Sequence, residues 1–146
     1  MVTPVPQQLS PFLMFQGGRA QEAIDLYTSL FDDGEVLALE HWSGAESGRE
    51  AGKGATVKWA TLQLAGEQVQ VSDSPIEHPF GFTPSLSLFL RCGTEEELER
   101  IFAGLAEGGQ VLMPLDSYDF SERFGWVADR FGVTWQISLQ ASETSD

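Results

Sequence analysis

Phe124 to Leu139 reads FGWVADRFGVTWQISL. Two runs of β-forming residues flank a turn at Phe131-Gly132, and the second run alternates strictly: Val133, Trp135, Ile137 and Leu139 lie on one face, Thr134, Gln136 and Ser138 on the other. The hairpin therefore ends in a strand with one greasy face and one polar face. Such a polar face commonly turns to water. Here the same pattern recurs upstream, which gives the polar face a second possible destination, the lining of a cavity.

Upstream, Thr56 to Leu64 and Glu67 to Asp73 form the matching hairpin, joined at Ala65-Gly66, with Val69 and Val71 alternating with Gln68, Gln70 and Ser72. Ahead of it, Ser10 to Phe15 reads as a short strand ending at Gly17-Gly18. Ala20 to Phe31 carries Ala20, Ala23, Ile24, Tyr27, Leu30 and Phe31 at the three-and-four spacing of one helical stripe. Glu35 to Trp42 reads as a strand. Ser43 to Gly54, rich in Gly and Glu, has no periodicity and is expected to be an exposed loop that folds over a pocket or stands clear of it. After a Pro- and Gly-containing connector at Ser74 to Thr83, Ser85 to Leu90 is a strand. Thr94 with Glu97 forms a capping box for a helix that buries Leu98, Ile101, Phe102 and Leu105. Gln110 to Leu115 is a strand, Asp116 to Ser121 a loop, and the opening hairpin follows.

The order β-α-β-β-β thus occurs twice. Leu26-Tyr27 matches Ile101-Phe102, Leu30 matches Leu105, and Gly34 to Leu37 matches Gly109 to Leu112, all at an offset of 75; at the hairpins Gly66 matches Gly132 and Gln70 matches Gln136 at an offset of 66. Each sheet must put its greasy face against its helix. The class is therefore α+β, two βαβββ modules curled into a half-open mixed β-barrel with the helices outside. Val69, Val71, Leu86, Leu88, Val133, Trp135 and Ile137 are expected beneath the helices. Phe12, Met14, Gln70, Ser72, Ser85, Ser87, Phe89, Thr134, Gln136 and Ser138 are left for the concave face, an apolar and neutral-polar mixture suited to a small molecule.

Composition narrows the partners. At 146 residues the chain fits one domain, expected over 9–140 with modules at about 9–74 and 84–140, a loose arm at 1–8 and a polar tail at 141–146. Eight Lys and Arg against 22 Asp and Glu give a formal charge of −14, which repels nucleic acid and anionic membrane. The first residues have neither a basic segment nor a long apolar run, so no signal peptide or membrane anchor is expected. The single cysteine, Cys92, fits a cytoplasmic protein and reads as a small buried residue.

A duplicated βαβββ chain of this length resembles the vicinal oxygen chelate superfamily, which includes glyoxalase I, ring-cleaving dioxygenases and bleomycin-binding proteins. PFLMFQG (11–17), AIDLYTSLF (23–31), TPSLSLFL (83–90) and above all FGWVADRFGVTWQISL look like its PhnB-like branch, often labelled 3-demethylubiquinone methyltransferase, over about residues 9 to 140. No G-x-G-x-x-G turn joins a strand to a helix and no Rossmann sheet fits, so nothing looks like a methyl-donor site. In metal-dependent relatives, His, Gln or Glu from the first and last strands of each module hold a divalent ion. Carried over through the repeat, those places fall at Phe12, Gln70, Ser87 and Gln136. Phe12 cannot bind metal, Ser87 is a poor ligand, and two neutral amides lack the charge or imidazole such ions favour. The expectation is a metal-free, cofactor-free pocket protein that binds a small organic molecule, as a homodimer whose sheet edges are covered. A metal-dependent isomerase, lyase or dioxygenase is the alternative, and a dimeric scaffold without ligand the third.

The candidate ligand-binding residues are Phe12, Met14, Trp59, Gln70, Ser72, Asp73, Ser87, Phe89, Trp126 and Gln136. Asp73 caps a turn or stands as a carboxylate at the pocket rim. Trp126 needs a partner for its indole N–H, with Asp129 or Asp116 the candidates, while Trp135 belongs to the core. His41 and His78 read as surface or loop residues, His41 becoming a proton carrier only if the 43–54 loop closes over the pocket.

Overall fold

The computed structural model describes residues 5–42 and 56–140; the loop expected at 43–54, the tail at 141–146 and residues 1–4 of the arm lie outside the described residues. In chain order the elements are β1 (Phe12–Phe15), α1 (Ala20–Leu30), β2 (Glu35–His41), β3 (Val57–Leu64), β4 (Glu67–Asp73), β5 (Ser87–Cys92), α2 (Glu95–Ala106), β6 (Gln110–Tyr118), β7 (Ser121–Ala128) and β8 (Thr134–Leu139). This is the α+β order β-α-β-β-β read twice from the sequence. Two compact units divide between Glu77 and His78, inside the connector. Neither helix is long and apolar enough to cross a membrane.

In the first unit the sheet order is β1-β4-β3-β2, with β1 parallel to β4 and the other pairs antiparallel. Ala65 and Gly66 turn β3 into β4 at φ +51° and +80°, the left-handed pair a two-residue hairpin needs. The Asp33 carboxylate fixes that turn by accepting from the amides of Ala65 and Gly66 at 2.8 and 2.7 Å. α1 lays its stripe of Ala20, Ala23, Ile24, Tyr27 and Leu30 on β3 and β4, where Leu62, Val69 and Val71 are buried.

The second unit repeats the plan as β5-β8-β7-β6, with β5 parallel to β8. Thr94 Oγ1 accepts from the Glu97 amide and caps α2. The helix buries Leu98, Ile101, Phe102 and Leu105 against the sheet side holding Val127, Trp135 and Ile137. The turn into β8 is longer than in the first unit. Gly132 stands at φ +94°, and Asp129 Oδ1 accepts from the amides of Phe131 and Val133.

Three expectations are corrected. Leu86 does not pack beneath a helix: it is 76% exposed, because β5 begins only at Ser87 and runs on to Cys92, so the buried pair is Leu90 and Cys92. Leu88 is half-buried. Asp116 to Tyr118 belong to β6 rather than to a loop, the reversal narrowing to Asp119-Phe120; Pro114, with no N–H to give the ladder, lies among the register shifts that hide this strand from its sequence.

The third correction concerns register within the repeat. β1 pairs Phe12 with Gln70, and β5 pairs Phe89, not Ser87, with Gln136. The first strands therefore correspond at an offset of 77, two more than expected. The buried helix stripes align Ala20 with Leu98, Ala23 with Ile101, Ile24 with Phe102 and Tyr27 with Leu105, an offset of 78. The offset of 75 holds at Gly34 and Gly109. There a methyl group would lie 2.1 Å from the Thr28 carbonyl oxygen in one unit and 2.1 Å from that of Ala128 in the other.

Candidate functional site

β7 divides its residues between two faces. Val127 is buried towards α2, and Gly125 abuts Phe102 of α2 so closely that a methyl group would sit 2.5 Å from the ring. Phe124 and Trp126 therefore point to the opposite face. The ladder sets their neighbours. Phe89 pairs with Gln136, Gln136 with Trp126 and Trp126 with Met113; one step along, Arg91 pairs with Ser138 and Ser138 with Phe124. These two cross-strand rows, with Phe120 from the β6–β7 turn, line a recess of about 420 Å³.

A chain of hydrogen bonds fixes the wall of this recess. Thr134 Oγ1 donates to the Leu86 carbonyl at 3.0 Å, which spends its only hydrogen. The 2.6 Å contact between Ser87 and Thr134 must then be donated by Ser87, and the Ser87 oxygen in turn accepts from Trp126 Nε1 at 3.2 Å. Direction runs from indole to serine to threonine to backbone. Trp126 is held with its polar edge satisfied and its ring available as a wall. Its partner is thus Ser87 rather than Asp129 or Asp116. Asp129 instead takes the buried Trp135 Nε1 on Oδ2 at 3.0 Å.

Further aromatic surface comes from the turn. The Phe120 ring stands edge-on to Phe124 at 4.9 Å between centroids and stacks on Tyr118 at 5.7 Å. A second, more polar recess of about 490 Å³ adjoins, sharing Arg91, Phe120 and Ser138 and adding Ser117, Asp119, Ser121 and Glu122 among others.

The other candidates lie in the first unit. Phe12 and Gln70 are paired, and Phe12 and Trp59 meet ring to ring at 5.3 Å, both nearly half exposed. Thr61 Oγ1 donates to Gln70 Oε1 at 2.7 Å, leaving the amide NH₂ as the group Gln70 presents. Met14 is half-buried and pairs with Ser72, which is buried. The structure thus brings together Phe12, Trp59 and Gln70 in one unit, and Ser87, Phe89, Trp126 and Gln136 in the other.

Asp73 belongs to neither group. It is 1% exposed, its Oδ1 accepting from the Ala20 amide at the start of α1 and its Oδ2 from the Val57 amide at the start of β3, each at 2.9 Å. Its carbonyl accepts from Trp42 Nε1. It fastens three element ends. His41 is exposed at the end of β2, and the half-buried His78 stacks on Phe80 at 4.9 Å. Cys92 is fully buried, its thiol pushed up to about 11 by burial and then by Glu97, against an opposing effect of Arg100. A thiol held protonated in that way is not a nucleophile at neutral pH.

The places to which the resemblance carries metal ligands fit no metal. Ladder pairing gives Phe12 with Gln70 and Phe89 with Gln136, so each unit offers one neutral amide beside a phenyl ring. Among the described residues no group of three His, Cys, Asp or Glu side chains comes together to hold an ion. Four lining residues escaped the sequence reading: Arg91, Met113, Phe120 and Phe124. The alternation Ser87, Phe89, Arg91 would have found the first had the strand been carried to Cys92, and Phe124 lies two residues before Trp126.

The 3-demethylubiquinone-9 3-methyltransferase family model matches residues 7–138. Among solved structures, a PhnB protein of Bacillus cereus is 44% identical at a TM-score of 0.84, covering 92% of this chain and 100% of its own. Protein PA1353 of Pseudomonas aeruginosa is 30% identical at 0.76, covering 92% and 98%. A glyoxylase/bleomycin resistance protein/dioxygenase domain of Frankia sp. EAN1pec, at 13% identity and a TM-score of 0.64 over 96% of both chains, shares the fold alone. A match over nearly the whole chain makes the chain a member of the 3-demethylubiquinone-9 3-methyltransferase family, with a PhnB protein among its relatives and a fold of two βαβββ modules shared with the glyoxylase/bleomycin resistance protein/dioxygenase domain.

Proposed function

We propose that the open sheet face of the second unit binds a small, flat or apolar organic molecule without the help of a metal ion. The observation that carries this is the fixed wall: Trp126 is locked by Ser87 and Thr134, with Phe89, Phe120, Phe124 and Met113 around it and the Gln136 amide between. Aromatic surface with few polar groups is the composition of a ligand site, and a locked indole loses little freedom when a ligand stacks on it. The Gln136 amide supplies one donor and one acceptor for orientation. On the first unit Phe12, Met14, Trp59, Gln70 and Ser72 make a comparable face. Asp73 and Ser87 act by holding other groups in place.

A titration with the neutral dye N-phenyl-1-naphthylamine tests this. Saturable, one-to-one fluorescence enhancement is expected, unchanged by chelators. Phe89→Ser should weaken it about tenfold, the removal of one aromatic contact being worth roughly 1.5 kcal/mol or more, while circular dichroism stays unchanged. Enhancement that never saturates, or that Phe89→Ser leaves untouched, contradicts the proposal.

A homodimer accompanies this reading. β2 is the edge of its sheet, all seven of its residues are exposed, and Val36, Leu37 and Leu39 are each about two-fifths exposed, an apolar edge that pairing would cover. Light scattering should give twice the 16.0 kDa chain mass. The buried, unpaired thiol of Cys92 suits a reducing cytoplasm.

A further inference from the structure

We propose that Arg91 makes the recess of the second unit selective for organic acids: flat or apolar molecules that end in a carboxylate. This rests on the reading of the recess as a ligand site and names the class of ligand it takes.

The chain has eight basic residues against 22 acidic ones, so carboxylates outnumber the cations they could pair with. Arg123 lies 2.8 Å from Glu99 and 3.6 Å from Glu95, and Arg19 lies 3.2 Å from Glu22. Arg91 makes no ion pair with any described residue. Its guanidinium lies over the Phe89 ring, 5.6 Å from the centroid, a placement that limits its motion and spends none of its N–H groups on a described residue. Among the described residues it is also the one charged side chain in the lining of the 420 Å³ recess.

The fold does not require a cation at this place. In the first unit the corresponding strand position is Met14, which pairs with Ser72 as Arg91 pairs with Ser138. The polarity of the neighbouring groups is consistent with an acid bound by Arg91 itself. Ser121 Oγ donates to the Arg123 carbonyl, so the 2.9 Å contact between Ser138 and Ser121 is donated by Ser138. Ser138 then has only acceptor capacity left. Among the described lining residues the donors left are the Arg91 fork and the Gln136 amide, and a carboxylate accepts from both. Asp119 and Glu122 line the adjoining recess. They repel an anion there and favour the 420 Å³ recess, where none of the described lining residues is acidic.

Calorimetric titration of 2-naphthoate and its neutral counterpart 2-naphthamide provides the test, on the wild-type chain and on Arg91→Gln and Arg91→Lys. The wild type is expected to bind the naphthoate about tenfold more tightly than the amide, the ordinary advantage of a charge-assisted hydrogen bond. Arg91→Gln should abolish that preference, weakening naphthoate binding about tenfold more than naphthamide binding. Arg91→Lys should keep part of it, since a lysine supplies the charge without the fork. Equal binding of the two probes, or a preference that survives in Arg91→Gln, overturns the proposal and leaves the recess standing as a ligand site. Binding of neither probe overturns both.

Discussion

Buried Asp73 and Asp129 show how a single carboxylate ties backbone that the sheets leave unpaired. Asp73 serves the first amide of α1 and the first of β3, and Asp129 serves two amides of its own turn and the indole of Trp135. Asp73→Ala would leave two buried N–H groups without partners and should cost about 3 kcal/mol or more in urea unfolding. From the sequence, Asp73 could be seen to end a strand. Its partners Ala20 and Val57, 53 and 16 residues away, could not, because only the tertiary fold brings them to it. Cys92 gives a prediction in pH. The folded thiol keeps its proton to about 11 and the unfolded one to about 9, so its contribution to stability is fully present below pH 9 and is lost as the pH rises to 11. Between pH 8 and pH 10.5 the unfolding free energy of the wild type should fall more than that of Cys92→Ala, by on the order of 2 kcal/mol. An identical fall in both proteins would contradict it.

At the scale of elements, the faces were legible and the register was not. Side chains alternate with a period of two on a strand, so a slip of two leaves every residue of β5 on its face; a slip of three on a helix does nearly the same for α2. The structural offsets, 77 for the first strands and 78 for the helices against the expected 75, are slips of that kind. Only the ladder itself could decide them, and it put Phe89 opposite Gln136. Where backbone approaches backbone the repeat shows in a single residue type, as at Gly34 and Gly109. Gly109→Ala should destabilise by about 3 kcal/mol, because the methyl group meets the Ala128 carbonyl and cannot be relieved by a side-chain rotation. Ser87→Ala breaks the chain from Trp126 to Thr134 and should cost about 1–2 kcal/mol. It should also weaken binding of the neutral dye, since the indole is then free to move. An unaltered affinity would mean that the hydrogen-bond chain does not matter to the wall.

For the whole molecule, duplication is what the sequence displayed most clearly, through Gly66 with Gly132 and Gln70 with Gln136. The sheet faces of the two copies have since diverged. One presents Phe12, Met14 and Trp59, the other Phe89, Arg91 and Trp126, and neither offers the ionisable ligands that the superfamily's metal chemistry uses. Two of the four missed residues sat where an element boundary was misjudged, Arg91 beyond the expected end of β5 and Phe120 in what read as a long loop; Met113 and Phe124 lay within expected strands. Two tryptophans on opposite faces of one sheet allow a direct test of the claim that the second unit's open face binds a ligand. Trp126 faces the recess, and Trp135 is buried beneath α2 with its N–H on Asp129. In a titration of ¹⁵N-labelled protein with 2-naphthol, the Trp126 indole signal and the amides of β5, β7 and β8 should shift and saturate together while the Trp135 indole stays still. Shifts confined to other parts of the chain, or none at millimolar 2-naphthol, would contradict the account.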